Sequence, residues 1–225
     1  MTRGNPHPHR YKYGKVETAI SLDVLRQFME RVEKINRMGY GVRFVQALLA
    51  IAYWTGFRRS EVIGDSGLKW KTKERVSLSG VVTPSEVRHS APFPGLLKEN
   101  VWTDESHIYF HLDKLRKHSK GGTKVFPLSL PFIDLILERW KETKDKERLF
   151  PIDESAQWQI FKNIDPKLYW HVFCFTRMTK LSEDKQNSLA DIVRFSGKHP
   201  VTVAWYMDRV GRNNAEIGDR MASET

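Results

Sequence analysis

The sequence predicts a mainly α-helical protein with a small antiparallel β-sheet. In several segments, apolar residues recur every three or four positions, which is the period of one face of a helix. Near the middle of the chain, two apolar runs flank a pair of glycines, which is the pattern of a β-hairpin. With 225 residues, 40% of them hydrophobic, and seven tryptophans, the chain can bury one sizeable core or at most two small ones.

The first two helices have the clearest start and stop signals. One begins after Ser21, a favourable N-cap, and continues to Met38, where Gly39 follows as a stop signal. The second covers residues 42–55 and ends at a Thr55-Gly56 corner; because it is apolar nearly all round, we expect it to be buried. The apolar positions that define the first helix are Leu25, Phe28, Met29, Val32 and Ile35.

The middle of the chain contains the expected β-structure. Glycines and prolines break every period in residues 64–96, which predicts an insertion or long loop with short strands at 75–82. Residues 107–128 are predicted to form a β-hairpin whose turn is the Gly121-Gly122 pair. Between positions 114 and 124 this hairpin has no acidic residue and five basic ones: Lys114, Arg116, Lys117, Lys120 and Lys124.

The second half of the chain is predicted to be helical. One helix starts near Pro131, and others are expected over 155–163, 167–181, 188–196 and 200–210. The expected organisation is a basic tail over 1–20, one folded domain over 21–211 that includes the 64–96 insertion, and a tail over 212–225.

Composition limits the classes of function. The formal charge of +10 and the pI near 9.7 favour a polyanionic partner such as nucleic acid. No apolar run approaches the roughly 20 residues that cross a bilayer, and the N-terminus lacks the apolar core of a signal peptide. The lone Cys174 excludes an internal disulfide and a CxxC metal site. We therefore expect a cytoplasmic protein with no metal and no cofactor.

The segment ALLAIAYWTGFRRSE, residues 47–61, places Arg58 and Arg59 at the end of the most hydrophobic helix. A guanidinium next to a core helix is costly unless it binds an anion, and its planar fork fits two phosphate oxygens. The alternative interpretation is that Arg58 forms a structural ion pair with Glu61.

Four segments, in the same order, resemble the conserved boxes of the tyrosine recombinases, the phage-integrase-like enzymes of DNA strand exchange. TGFRRSE is similar to the Thr-Gly-x-Arg-x-Ser-Glu box, and HSKGGTKVFPL is similar to the β-strand lysine segment. LFPIDESAQWQIFKNI resembles the stretch before the second arginine, and FCFTRMTKLSEDKQNSLADIVRFSGKHPVTVAWYMDRV resembles the C-terminal run that ends in the nucleophilic tyrosine. The resemblance covers roughly residues 40–210 and implies the catalytic-domain fold of that family.

The resemblance also implies a set of site residues. Two arginines would clamp the phosphoryl oxygens, a hairpin lysine would protonate the leaving 5′-oxygen, and a tyrosine would form a 3′-phosphotyrosine intermediate. The matching catalytic residues are Arg58, Lys120, Arg177, His199 and Tyr206. Lys117 and Lys124 stay open as alternatives to Lys120, because a hairpin register cannot be fixed from sequence. Supporting roles fall to Glu61, Cys174 and Lys198, and DNA contacts to Arg59, Lys114, Arg116, Lys117 and Lys124.

Three features depart from the family pattern. Cys174 occupies the position of the histidine in His-x-x-Arg, and His171 lies six residues before Arg177. In GKHPVTVAWY, Lys198 stands where His or Trp is expected, with His199 one position later and the tyrosine one residue closer than usual. Only some forty residues precede the first box, where family members usually carry an N-terminal helical domain.

From the resemblance we expect a site-specific recombinase or integrase that acts on double-stranded DNA in a mobile element, such as an archaeal virus or plasmid. Four protomers would assemble on two sites, from a monomer in solution. Two alternatives stay open: a DNA-binding protein with a degenerate active site, and an enzyme like the type IB topoisomerases, which needs only one protomer.

Overall fold

α-Helices and short antiparallel strands build the chain in a computed structural model that describes residues 19–65, 69–71, 75–76, 82–83, 87–89, 92–115 and 119–209. The predicted mainly helical class with a small antiparallel sheet is confirmed. The helices in this part of the chain are α1 (Leu22–Val32), α2 (Val42–Thr55), α3 (Arg59–Ile63), α4 (Ile133–Glu142), α5 (Glu154–Ile164), α6 (Trp170–Glu183), α7 (Leu189–Ser196) and α8 (Pro200–Arg209). The strands are β1 (Lys69–Lys71), β2 (Arg75–Val76), β3 (Val82–Thr83), β4 (Val87–His89), β5 (Val101–Thr103), β6 (His107–Leu115) and β7 (Ser119–Pro127).

Helix α1 starts where the sequence predicts and ends earlier. The Ser21 side chain accepts a hydrogen bond from the backbone N–H of Val24, as expected for an N-cap. The predicted continuation to Met38 is wrong, because the helix stops at Val32. The guanidinium of Arg37 donates to the carbonyl of Val32 at 2.9 Å, and Met38 adopts a left-handed conformation with φ 54°. A side chain therefore satisfies a terminal carbonyl that a further helical turn would have used.

Helix α2 is the centre of the main core. Its bounds match the predicted residues 42–55, and ten of its fourteen residues are buried. It ends at Gly56, which has a left-handed conformation with φ 58°. Helices α1, α4 and α6 pack against it, so the corner after Thr55 directly follows a buried helix of the main core.

The main sheet has the strand order β5-β6-β7, and all its pairs are antiparallel. The hairpin is present, but the predicted Gly-Gly turn is wrong. Leu115 pairs with Ser119, while Gly122 pairs with Leu112 inside the ladder, so the chain reverses between Leu115 and Ser119. Two shorter antiparallel pairs, β1 with β4 and β2 with β3, lie in the predicted insertion.

The hydrophobic interior has two parts. The main core unites α1 to α6 with the inner face of the sheet. A separate small cluster, called here the α8 cluster, consists of Phe175, Met178, Ile192, Val203, Tyr206 and Met207. No helix in the described ranges is long and apolar enough to cross a membrane. Most of the predicted 1–20 tail, Arg116, Lys117 and the 212–225 tail lie outside the described residues.

Candidate active site

The corner between α2 and α3 brings the first and last sequence boxes together. Gly56 has φ 58°, and a Cβ built on it would lie 2.7 Å from Cβ of Arg177 on α6. Only glycine fits this position without displacing α6, because it tolerates the left-handed conformation and leaves room for the neighbouring helix. The glycine of TGFRRSE therefore allows Arg177 to approach the loop that carries Arg58.

Arg58 is fixed by a buried carboxylate. Its backbone N–H donates to Oε2 of Glu61 at 2.7 Å, and its Nη1 donates to Oε1 at 3.1 Å. The ion pair considered from the sequence is thus present. The Glu61 side chain is only 4% exposed, whereas that of Arg58 is 40% exposed. Glu61 orients the guanidinium and leaves part of it accessible to a ligand.

Arg177 is held by aromatic rings. Its guanidinium carbon lies 5.0 Å from the ring centre of Phe195 and 5.7 Å from that of Phe126. Its Nε is buried and has no hydrogen-bond partner among the described residues. Burial lowers the pKa of the group. A buried donor without an acceptor is costly, so an anion that accepts this N–H would stabilise the site.

Lys124 and Arg177 both lie over the ring of Phe195. Nζ of Lys124 donates to the carbonyl of Thr55 at 2.8 Å and lies 4.4 Å and 4.6 Å from the ring centres of Phe57 and Phe195. Burial lowers the pKa of Lys124 to about 7, and the positive charges of Lys198 and Arg177 act in the same direction. This lysine is part of the interior and differs from the surface DNA contact that the sequence suggested.

The other hairpin residues lie nearer the end of the hairpin. Lys120 pairs with Lys114 across β6 and β7, four residues from Lys124 along its strand. The side chains of Lys114 and Lys120 are not among those described, so their roles stay predictions.

Lys198 and His199 lie between α7 and α8. The charge of Lys198 acts to lower the pKa of both Lys124 and Cys174. His199 is exposed, and its Nδ1 accepts from the backbone N–H of Val201 at 3.3 Å, at the start of α8. In this conformation the expected catalytic role of His199 has no structural counterpart, and it stays a prediction.

Cys174 occupies the interior next to the Arg58 loop. Its Sγ donates to the carbonyl of Phe57 at 3.1 Å, and Nε1 of Trp170 donates to the same carbonyl at 2.8 Å. Burial raises the pKa of the Cys174 thiol. The residue that replaces the family histidine thus supports the loop backbone, while His171 lines a cavity beside Arg58.

Tyr206 is buried in the α8 cluster. It is 2% exposed, and its ring packs 5.7 Å from Phe175 and 4.9 Å from Trp205. Phe175 belongs to the α8 cluster, whereas Lys124 and Arg177 contact Phe57 and Phe126 of the main core. The predicted nucleophile and the predicted phosphate clamp are built on different packing units.

Comparisons with solved structures find proteins of the same architecture. The sequence matches no protein-family model and no curated protein. Among solved structures, it is similar to the XerH site-specific recombinase bound to palindromic difH substrate in a post-cleavage complex, with a TM-score of 0.57, 13% identity, and coverage of 91% of this chain and 53% of XerH. A pre-cleavage XerH complex gives a TM-score of 0.54, 14% identity, and coverage of 85% and 50%. The XerA recombinase gives 0.51, 15% identity, and coverage of 89% and 63%.

The chain has the fold of the recombinase catalytic domain. It spans about half the length of XerH and somewhat more of XerA. At these identities the likeness concerns the fold, and the chemistry has to be argued from the site.

Sequence reasoning missed several residues of this candidate site. Phe126 and Phe195 hold Arg177, and the carbonyls of Thr55 and Phe57 hold Lys124 and Cys174. The aromatic residues gave no signal, because they read as ordinary core positions, and a backbone carbonyl has no sequence signature. No group of three or more His, Cys, Asp or Glu in the described ranges is arranged to hold a metal ion.

Proposed function

We propose that this chain is a site-specific DNA recombinase of the tyrosine recombinase type, used to integrate or excise a mobile element. The observation that supports it best is the convergence of Arg58 and Arg177 at the Gly56 corner, with Nε of Arg177 buried and lacking a described partner. Two arginines on segments that meet at one corner can supply guanidiniums to the two non-bridging oxygens of a phosphodiester.

The charge balance of the site favours an anion of this kind. Arg58, Lys124 and Arg177 lie around the corner, and Glu61 forms an ion pair with Arg58 and raises the pKa of Lys124 against the effect of burial. A dianionic or monoanionic phosphate would supply the missing negative charge and accept the unpaired N–H of Arg177. Such donors are most effective when they are fixed before the ligand arrives, as the aromatic rings around Arg177 ensure.

The proposed reaction exchanges one phosphoester bond for another. The phenol oxygen of Tyr206 attacks phosphorus, the bond from phosphorus to the 5′-oxygen breaks, and the phenol gives up its proton as the 5′-oxygen gains one. Lys120 is the proton donor that the family resemblance implies. Lys124 is the alternative, and with a pKa of about 7 it holds and releases a proton near neutral pH.

Tyr206 has to move before it can attack. At 2% exposure its ring is enclosed by the α8 cluster, so the hydroxyl reaches a DNA phosphate only after α8 shifts. We propose that assembly of four protomers on two DNA sites produces this shift. The solved XerH complexes with difH substrate, before and after cleavage, support DNA as the ligand of this fold.

Two observations favour a second candidate, a DNA-binding protein that does not cleave. Cys174 replaces the family histidine, and Tyr206 lies within a packed cluster. This candidate predicts specific binding and no covalent product. A topoisomerase-like enzyme instead predicts relaxation of supercoiled DNA that lacks a target site.

A denaturing gel separates the functions that cleave DNA from the candidate that only binds it. Wild type, Tyr206→Phe and Tyr109→Phe are incubated with nicked duplexes from the attachment region of the element, in which cleavage traps the covalent product. Tyr109 is the control, because it lies on the outer face of the sheet with its hydroxyl on Asp104. We expect a detergent-resistant adduct with wild type and Tyr109→Phe only. Binding without an adduct across all substrates would contradict the proposed function.

A further inference from the structure

A cavity of about 270 Å³ opens beside Arg58, between α5 and the start of α6. Arg58 is thus shared between the proposed phosphate site and this cavity. Its walls include Gln157 and Trp158 from α5, and Tyr169 and Trp170 from the next segment.

The walls are aromatic and accessible. Trp158 is 53% exposed although it lies on a helix whose neighbouring apolar residues are buried. Tyr169 is also exposed. Trp170 is fixed by its hydrogen bond to Phe57 and by its stacking on Phe161, with the two ring planes 4° apart. Exposed flat rings next to a phosphate-binding arginine favour a flat, apolar-faced ligand such as a nucleobase.

Gln157 adds a polar group to the aromatic walls. The residue is only 3% exposed and lines the cavity. Its amide offers an N–H₂ donor and a C=O acceptor. The edge of a base presents a donor and an acceptor side by side, which is the pattern that this amide can pair.

We propose that this cavity binds the base of a nucleotide next to the phosphate held by Arg58. The base stacks on Trp158 and Tyr169, and Gln157 pairs with its edge. Entry into the cavity takes the base out of the duplex stack, which single-stranded or nicked DNA permits at the lowest cost. The inference rests on the proposed function, because Arg58 has to hold a DNA phosphate.

Fluorescence anisotropy at low salt can test the base preference directly. The probes are a labelled single-stranded oligothymidylate and an abasic oligonucleotide with the same number of phosphates. The full chain is compared with Trp158→Ala and with Trp102→Ala, a control tryptophan that is 41% exposed on the outer face of the sheet. We expect wild type and Trp102→Ala to bind the thymidylate about tenfold tighter than the abasic probe.

In Trp158→Ala the ratio of the affinity for the thymidylate to the affinity for the abasic probe should fall to near one, with affinity for the abasic probe unchanged. Equal affinity of wild type for both probes, or no binding of either, would overturn the proposal and leave a partner's aromatic side chain as the occupant to consider. Loss of the ratio in Trp102→Ala but not in Trp158→Ala would also overturn it. An adduct on the denaturing gel without a base preference would contradict only this inference. A base preference without an adduct would contradict only the proposed recombinase function.

Discussion

The main core and the α8 cluster support the two halves of the proposed chemistry in different ways. Arg177 and Lys124 lie on elements that pack into the main core, and aromatic rings fix both. Tyr206 belongs to a cluster of six buried residues on α6, α7 and α8. The small cluster buries far less apolar surface than the main core, so it should open at a lower free energy.

This difference teaches how a site can be both fixed and regulated. Cations that bind a phosphate gain from being immobile before the ligand arrives. A nucleophile that is enclosed until assembly avoids premature cleavage, because the shift that exposes it depends on partners. Substitutions in the two units can show whether they differ in this way.

The largest effect should come from Arg177. Arg177→Lys keeps the charge but loses the planar fork, so adduct formation should fall by about 100-fold or more. The matched control is Arg139→Lys, since Arg139 also lies over a phenylalanine ring, at 5.2 Å from Phe44. Single-turnover rates on the nicked substrate measure both variants. A fall of similar size in Arg139→Lys would show that any partly buried arginine matters equally.

Gly56→Ala should disrupt the corner that joins the two arginine segments. The alanine Cβ would lie 2.7 Å from Cβ of Arg177, and the alanine would have to adopt a left-handed backbone conformation. Together these effects should lower the free energy of unfolding by about 3 kcal/mol. Gly39→Ala has a similar positive φ with nothing within 4 Å, so it should cost only about 1 kcal/mol. Urea denaturation gives both values. Equal losses would mean that the contact with α6 contributes nothing.

Lys124 should make stability depend on pH. Its pKa is about 7 in the folded chain, against an ordinary value of 10.5, so the unfolded chain binds more protons between these pH values. Raising the pH through this window therefore stabilises the fold, by about 2 kcal/mol from pH 7 to pH 9, and below pH 7 the full penalty remains. Lys124→Met should lack this rise in urea denaturation. A variant with the same rise as wild type would refute the burial of a titrating Lys124.

The smallest effect should separate the two packing units most sharply. Phe175→Leu weakens the α8 cluster, and Phe173→Leu makes the same change in the main core from the same helix. Hydrogen exchange should show α8 amides opening more easily by about 1 kcal/mol in Phe175→Leu, with α2 amides unchanged. In Phe173→Leu the α2 amides should lose protection instead. Parallel losses in both helices would mean that the molecule opens as one unit.

Much of the fold could be predicted because local signals agreed with the tertiary structure. A long apolar run indicated α2, and the Thr55-Gly56 corner marked its left-handed end. The hairpin was found, but its turn was misplaced, because a Gly-Gly pair resembles a turn whether or not the strands pair across it. The early end of α1 depends on Arg37, whose hydrogen bond to a carbonyl has no sequence pattern.

The candidate site was less accessible from sequence. The boxes pointed to Arg58 and Arg177, which lie on segments that meet at Gly56. Whether Lys124 is inside or outside depends on the strand register, which the sequence left open. The electrostatic effect of Lys198 on Lys124 has no local sequence pattern either. The enclosure of Tyr206 results from packing between three helices, and no local pattern reports it.

Mapping the residue that becomes attached to DNA tests the central claim most directly. After the adduct is trapped on a nicked duplex and the DNA is digested, trypsin should release residues 199–209, a peptide whose one tyrosine is Tyr206. Mass spectrometry should find the nucleotide on that tyrosine, which would establish that the residue enclosed in the α8 cluster is the nucleophile. A nucleotide on any other residue, or an adduct that leaves this peptide unmodified, would contradict the account.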